Sequence, residues 1–264
     1  MGWLRNYRFS PEMALRVWQR EVDVYKRIYK STILGGLADP VIYLLAMGLG
    51  LGAYVSLAGT SAEGLRYIEF LAPGLVASSA MMAATYEVSW NSFMRIHTDR
   101  VYAAMLATPA EAEDIVVGEL LWAATRALIY AGVMMVVLLA FGLVRSPLAL
   151  LAPPVAALGG LLFAALGLSY TAVVKHMDQL VFWFTLFVTP MFLVSGVFFP
   201  LEGFPAWVQA LAWLLPLHHL VEVLRALVLG TVSAATMGHL AWIGAALAVF
   251  FPLPVHLLRR KLVR

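Results

Sequence analysis

His218, Glu222 and Arg225 fall at i, i+4 and i+7, and so share one helix face. With His219 beside them, they offer imidazole and carboxylate donors of the kind that bind a transition metal. A catalytic site needs a third fixed ligand, and no H-E-x-x-H occurs in the chain. A water-facing polar stripe is the better reading; a stand-alone intramembrane metalloenzyme is the alternative. No metal is expected. No G-x-x-x-x-G-K-[ST] is present, so the chain has no phosphate loop for ATP. No Ser/His/Asp constellation stands out, and no catalytic residue is assigned. The absence of cysteine rules out disulfides and thiolate metal sites. The other notable residues are charges in apolar surroundings: Asp39, Glu87, Glu119 and Arg126. An intramembrane charge needs a partner. Glu119 lies seven residues before Arg126 on the same face, and Glu87 and Asp39 lie on other spans. The expectation is a structural ion pair, with a direct transport role as the alternative.

These residues sit in a chain of 264 residues that is 62% hydrophobic and 12% charged. Soluble domains carry about 25% charged residues, so a soluble fold of this size could not cover its own surface. About 20 apolar residues span the hydrocarbon. Six segments qualify: 33–57, 70–86, 120–144, 146–174, 179–201 and 240–258. Seven Lys or Arg residues precede the first and four follow the last. Basic flanks stay in the cytoplasm, so both ends lie inside and the number of crossings is even. The charged N-terminus lacks the short apolar core of a signal peptide. The fold class is therefore all-α, integral to the membrane, with six transmembrane helices.

Residues 195–219, SGVFFPLEGFPAWVQALAWLLPLHH, carry one formal charge, Glu202, and three prolines. As a seventh span they would move the basic C-terminus outside. They read instead as two short helices, 205–215 and 217–229, joined at Pro216. Pro205 suits a first helical turn and Pro216 breaks a helix. The pair forms a re-entrant hairpin within an extracytoplasmic segment, 200–238. Backbone at that depth must be covered by protein or line a wet cavity.

On the other side, Ser10-Pro11-Glu12 opens a helix. Its Leu15, Trp18, Val22, Tyr25 and Tyr29 recur at helical spacing. Residues 1–30 then form an amphipathic helix flat on the cytoplasmic surface, and 31–264 the transmembrane domain. In the loop 91–114, Thr98-Asp99 caps a short helix reaching about Leu106. Thr108-Pro109-Ala110-Glu111 is a capping box opening the third span. This ordered loop presents Arg95, His97, Asp99, Arg100, Tyr102 and Met105 to a partner that supplies the missing ATP site. Asp39-Pro40 predicts a kink in the first span, the acid either marking the interface or serving substrate entry. Gly48 and Gly52 form a small-xxx-small pair, suited equally to intrachain packing and self-association.

Three segments carry a family resemblance: RIHTDRVYAAMLATPAEAEDIVVGELLW (95–122), FLAPGLVASSAMMAATYE (70–87), and 195–230 with Pro216, Leu217, His219 and Arg225. In them the chain resembles the membrane subunit of type-2 ABC exporters, most closely the nodulation-protein-J branch. Phe204 stands where such proteins often carry Leu. The resemblance implies a transport subunit and not an enzyme. It implies a homodimer of this chain with two copies of a P-loop ATPase subunit, which bind ATP and Mg while this chain binds no cofactor. It implies a coupling helix at about 98–106 and an N-terminal gate helix. The path would run along spans 1 and 5, with Asp39, Phe184, Phe187 and Met191. The outer gate would be built from Pro205, Pro216, His218, His219, Glu222 and Arg225. The implied location is the bacterial cytoplasmic (inner) membrane, multi-pass, with both termini cytoplasmic. The implied cargo is a lipid-linked saccharide or lipo-oligosaccharide, with a hydrophobic drug as the alternative. Nucleic acid has no part in this reading.

Overall fold

Long apolar runs without period-2 alternation favour helices over strands. The computed structural model describes residues 9–52, 54 and 64–262, and every regular element among them is helical. α1 (Pro11–Leu45) continues through Pro40 into a π-helical turn, Ala46–Leu51. The expected surface helix and first span are thus one helix, because no Gly or Pro interrupts residues 12–34. Its buried face also differs from the expected one. Ala14, Val17, Glu21 and Tyr25 are buried, whereas Leu15 and Tyr29 are exposed. The reason is close approach to α5 (Ala112–Ala140): a Cβ on Gly118 would stand 2.6 Å from Val17. Small residues set the seam and the longer apolar side chains fall outside it.

α2 (Tyr67–Tyr86) runs through a π turn, Glu87–Asn91, into α3 (Ser92–His97). Gly48 packs against Ile68 of α2, so that glycine serves intrachain packing. Arg100, left-handed at φ 51°, precedes α4 (Val101–Leu106). Thr98-Asp99 is therefore not the cap of this helix. The capping box of α5 is Glu111 with Asp114, three residues later than expected. Asp114 wins because it accepts from both Glu111 N (3.0 Å) and Ser10 N (2.8 Å), which ties α1 to α5. The Thr108 hydroxyl instead donates to the Met105 carbonyl at 2.6 Å, closing α4.

A 3₁₀ turn, Pro147–Leu151, leads into α6 (Ala152–Val173). α7 (Gln179–Trp183), a π turn at Phe184–Val188 and α8 (Thr189–Val194) form one interrupted apolar segment. α9 (Ala206–Leu214), α10 (Pro216–Leu229), α11 (Ala234–Phe250) and α12 (Pro252–Leu262) complete the chain. α2 is the central helix: 94% of its most apolar window is buried, against 11% for α11–α12.

Among the described residues, four helices are long and apolar enough to cross a membrane: Tyr67–His97, Ala112–Ala140, Pro147–Val173 and Ala234–Leu262. α9 with α10 makes a fifth if the bent pair is one span. The first and fifth expected spans, seen as Ala38–Leu51 and Gln179–Val194, are shorter. α9 and α10 meet where Pro216 predicts, but at 87°, an open elbow and not a closed hairpin. At one end of the bundle, Ser10 meets Asp114, Arg259 meets Glu113 (3.1 Å), and Lys261 meets His97 and the Val174 carbonyl, both at 3.1 Å. At the other, Arg145 binds Glu69 (2.7 Å) and the Val228 carbonyl (3.0 Å).

Candidate functional site

The π turn at Glu87–Asn91 sets Glu87 inward, where Asn91 donates to it at 2.7 Å. π turns of this kind recur at functional positions. Arg95 of α3 reaches Glu87, Glu119 and Glu21, each at 2.6 Å. Ser92 donates to Glu119 at 2.9 Å. Arg126 of α5 pairs with Glu87 and donates to the Tyr130 hydroxyl at 3.1 Å. Tyr130 in turn donates to the Thr32 carbonyl of α1 at 2.7 Å. Arg20 pairs with Glu21 at the rim. Three carboxylates and two guanidiniums thus join α1, α2–α3 and α5 in the interior. Such a network is strong only when every member is satisfied.

Of the three carboxylates the sequence offered to Arg126, Glu87 is its partner, while Glu119 belongs to Arg95. Asp39 stands apart from the cluster and is exposed. Glu21 went unnoticed in the sequence; its signal was an acid on the stripe Ala14–Val17–Glu21–Tyr25. Burial, reinforced by Glu119, pushes the Glu21 carboxyl up to about 7, against the opposing pull of Arg95 and Arg20.

Of the six residues expected to face a cytoplasmic partner, two turn inward. Arg95 is in the ion cluster, and Tyr102 is fully buried against Val17 and Ile115. His97, Asp99 and Arg100 are exposed, and Met105 is half-buried. The 92–106 segment therefore has an inner face bolted to α1 and α5 and an opposite side where Asp99 and Arg100 are exposed and His97 meets Lys261. Of the expected path residues, Phe184 stacks on Tyr86 at 4.5 Å and Phe187 is exposed. Met191 is buried, and Asp39 lines a cavity with Phe192.

At the opposite end, Pro205 caps α9 and Pro216 begins α10. The stripe expected to face water is largely covered. Arg225 binds Glu222 (2.5 Å) and the Gly196 carbonyl (2.7 Å), and lies over the Phe70 ring at 4.0 Å. His219 meets the Trp213 carbonyl through Nε2 at 2.7 Å. A carbonyl only accepts, so Nε2 carries the proton. The bare Nδ1 then accepts from Nδ1 of His239, 2.7 Å away. His219 also stacks on Trp242 at 4.1 Å. His239 escaped sequence analysis because it lies on another helix, 20 residues on. Among the described residues no group of three or more His, Asp or Glu has metal-binding geometry.

Residues 14–229 match the family model of the ABC-2 type transporter. The chain belongs to that family. It is 40% identical to nodulation protein J of Rhizobium leguminosarum bv. viciae over 95% of both chains. It is 39% identical to nodulation protein J of Sinorhizobium fredii, over 96% of this chain and 95% of that one. The inner membrane transport permease YadH of Escherichia coli is 23% identical over 79% of this chain and 80% of its own. As an ABC-2 permease the protein is a membrane-spanning transport subunit and not an enzyme. The matched stretch runs from α1 to the end of α10. It takes in the ion cluster, the 92–106 segment and the whole α9–α10 elbow of this ABC-2 permease, and leaves out α11 and α12.

Proposed function

We propose that this ABC-2 permease is the membrane subunit of an ATP-driven exporter that moves a lipid-linked saccharide or lipo-oligosaccharide out across the bacterial cytoplasmic membrane. The observation that carries the reading is the two-faced 92–106 segment. Tyr102 and Arg95 lock its inner side to α1 and α5, while Asp99 and Arg100 stay exposed. A push on α4 from outside is transmitted to the ion cluster through Tyr102 and Arg95. Two copies of this chain pair and each docks a P-loop ATPase subunit, which holds ATP and Mg. Nucleotide binding then biases a two-state membrane element.

The polar contacts that gather both chain ends with the 91–114 loop support six crossings, with both termini in the cytoplasm. The segment 195–229 leaves from and returns to the opposite end, which supports a re-entrant insert. The test is reconstitution of the chain with a P-loop ATPase subunit that co-purifies with it. Vanadate-sensitive hydrolysis and ATP-dependent export of a fluorescent glycolipid are expected only from the complex. Export of a hydrophobic dye with no glycolipid flux would replace the cargo by a drug.

A further inference from the structure

A cavity of about 540 Å³ lies between α1, α2 and α5, beside the ion cluster. It meets a second, of about 520 Å³, at Thr32, Tyr86 and Arg126. The two are chemically unlike. The first sets the rings of Tyr25, Trp90 and Trp122 against Glu21, Glu87 and Arg126. The second is lined mainly by apolar or small groups, including Pro40, Leu75, Met82 and Phe192. Two buried polar atoms on the wall of the first lack any partner: the Tyr25 hydroxyl and Nε of Arg126. Tyr25 is 9% exposed and Arg126 8%. Buried donors are normally satisfied, so orphans on a cavity wall mark where a guest bonds. Ligand sites combine aromatic walls with a few convergent polar groups in this way.

We propose that the paired cavities form an amphiphile-binding site within a single subunit. The hydroxylated headgroup enters the aromatic chamber and its chain enters the second. Tyr25 and Arg126 bond headgroup hydroxyls, and the ring faces cover the sugar. The pairing of the charges selects the head. Arg95 and Arg126 line the first chamber, and both are paired with carboxylates, while Asp39 lines the second. The guanidiniums are already engaged by carboxylates, so a phosphate finds no uncommitted cation there. The site accepts an uncharged hydroxylated head and disfavours an anionic one. Arg126, at the junction, is the positioning residue between head and chain.

This site deepens the export reading and rests on it, so its test uses binding alone. The probe is octyl glucoside with a diazirine on its chain, applied to the full chain in phosphatidylcholine nanodiscs. Cross-linked peptides are mapped by mass spectrometry. Labelling is expected within 35–43 and 75–83, competed by unmodified octyl glucoside but not by octyl phosphate or octanol. Tyr25→Phe removes one hydroxyl without disturbing packing. It should weaken competition about fivefold, the worth of one hydrogen bond, at unchanged thermal stability. Trp90→Ala should weaken it further. Labelling spread over lipid-facing helices, or indifferent to both variants, would overturn the site. Equal competition by octyl phosphate would overturn the headgroup selection. Failure here with ATP-driven export intact sinks only this site, whereas absence of export by the complex sinks the function reading whatever binds.

Discussion

Glu87 is the residue on which the ion cluster turns, accepting from Asn91, Arg95 and Arg126 at once. Glu87→Gln removes the charge that both arginines share and leaves Arg126 uncompensated in the interior. The expected cost is about 3–5 kcal/mol, read as a lowered thermal midpoint in detergent. Glu21 behaves oppositely. Its pKa is raised from 4.5 unfolded to about 7 folded, so the folded state holds its proton longer. The stabilisation this supplies is fully present below pH 4.5 and is lost as pH rises through about 7. Hydrogen exchange in residues 11–30, corrected for intrinsic rate, should quicken between about pH 4.5 and 7 and level off above that. Glu21→Gln should flatten that dependence; an unchanged slope would assign the titration elsewhere. The sequence made Arg126 conspicuous as a charge needing a partner. It could not choose among carboxylates, because that choice depends on how the π turn at Glu87–Asn91 rotates α2 against α5.

Single helices decide the next scale. Arg100 adopts a left-handed backbone that costs a non-glycine residue about 1 kcal/mol. Arg100→Gly should therefore keep or slightly raise stability, while Arg100→Glu keeps the strain and reverses the charge. If this turn docks the ATPase, Arg100→Glu uncouples hydrolysis from export with the melting temperature unchanged; full export by that variant contradicts docking there. The seam between α1 and α5 depends on Gly118, where a Cβ would lie 2.8 Å from the Ala14 carbonyl as well as 2.6 Å from Val17. Gly118→Ala should force the helices apart at a cost of about 1–3 kcal/mol, measurable as faster exchange in residues 11–25. The apolar periodicity of α1 was legible, but its buried face was not. A helix with large apolar groups on several sides buries the side that fits closest, and the fit depends on a glycine about a hundred residues away.

For the whole molecule the decisive property is which end faces which side. The chain contains no cysteine, so single cysteines report sidedness cleanly. Asp99→Cys should react with an impermeant maleimide only after the cytoplasmic face is opened. Ser233→Cys, at the cap of α11, should react from outside in intact cells. Reaction of both from the same side would break the six-crossing arrangement. The burial gradient follows from packing alone, since α2 is sheathed by α1, α5, α6 and α10 while α11–α12 rests on the bundle's edge.

Composition alone determined that this chain lives in a membrane, because 12% charge cannot coat a soluble protein of this size. Proline placed the break at Pro216, a local steric effect that needs no tertiary partner. Basic flanks predict both ends on one side of the membrane; the structure adds that Ser10 and Lys261 both contact the 91–114 segment. Tertiary structure decided everything that depends on distance through space. It turned Arg95 and Tyr102 inward, gave Glu119 to Arg95, brought His239 to His219 and opened the elbow to 87°. Helical periodicity tells which residues share a face; only packing tells which face meets which neighbour.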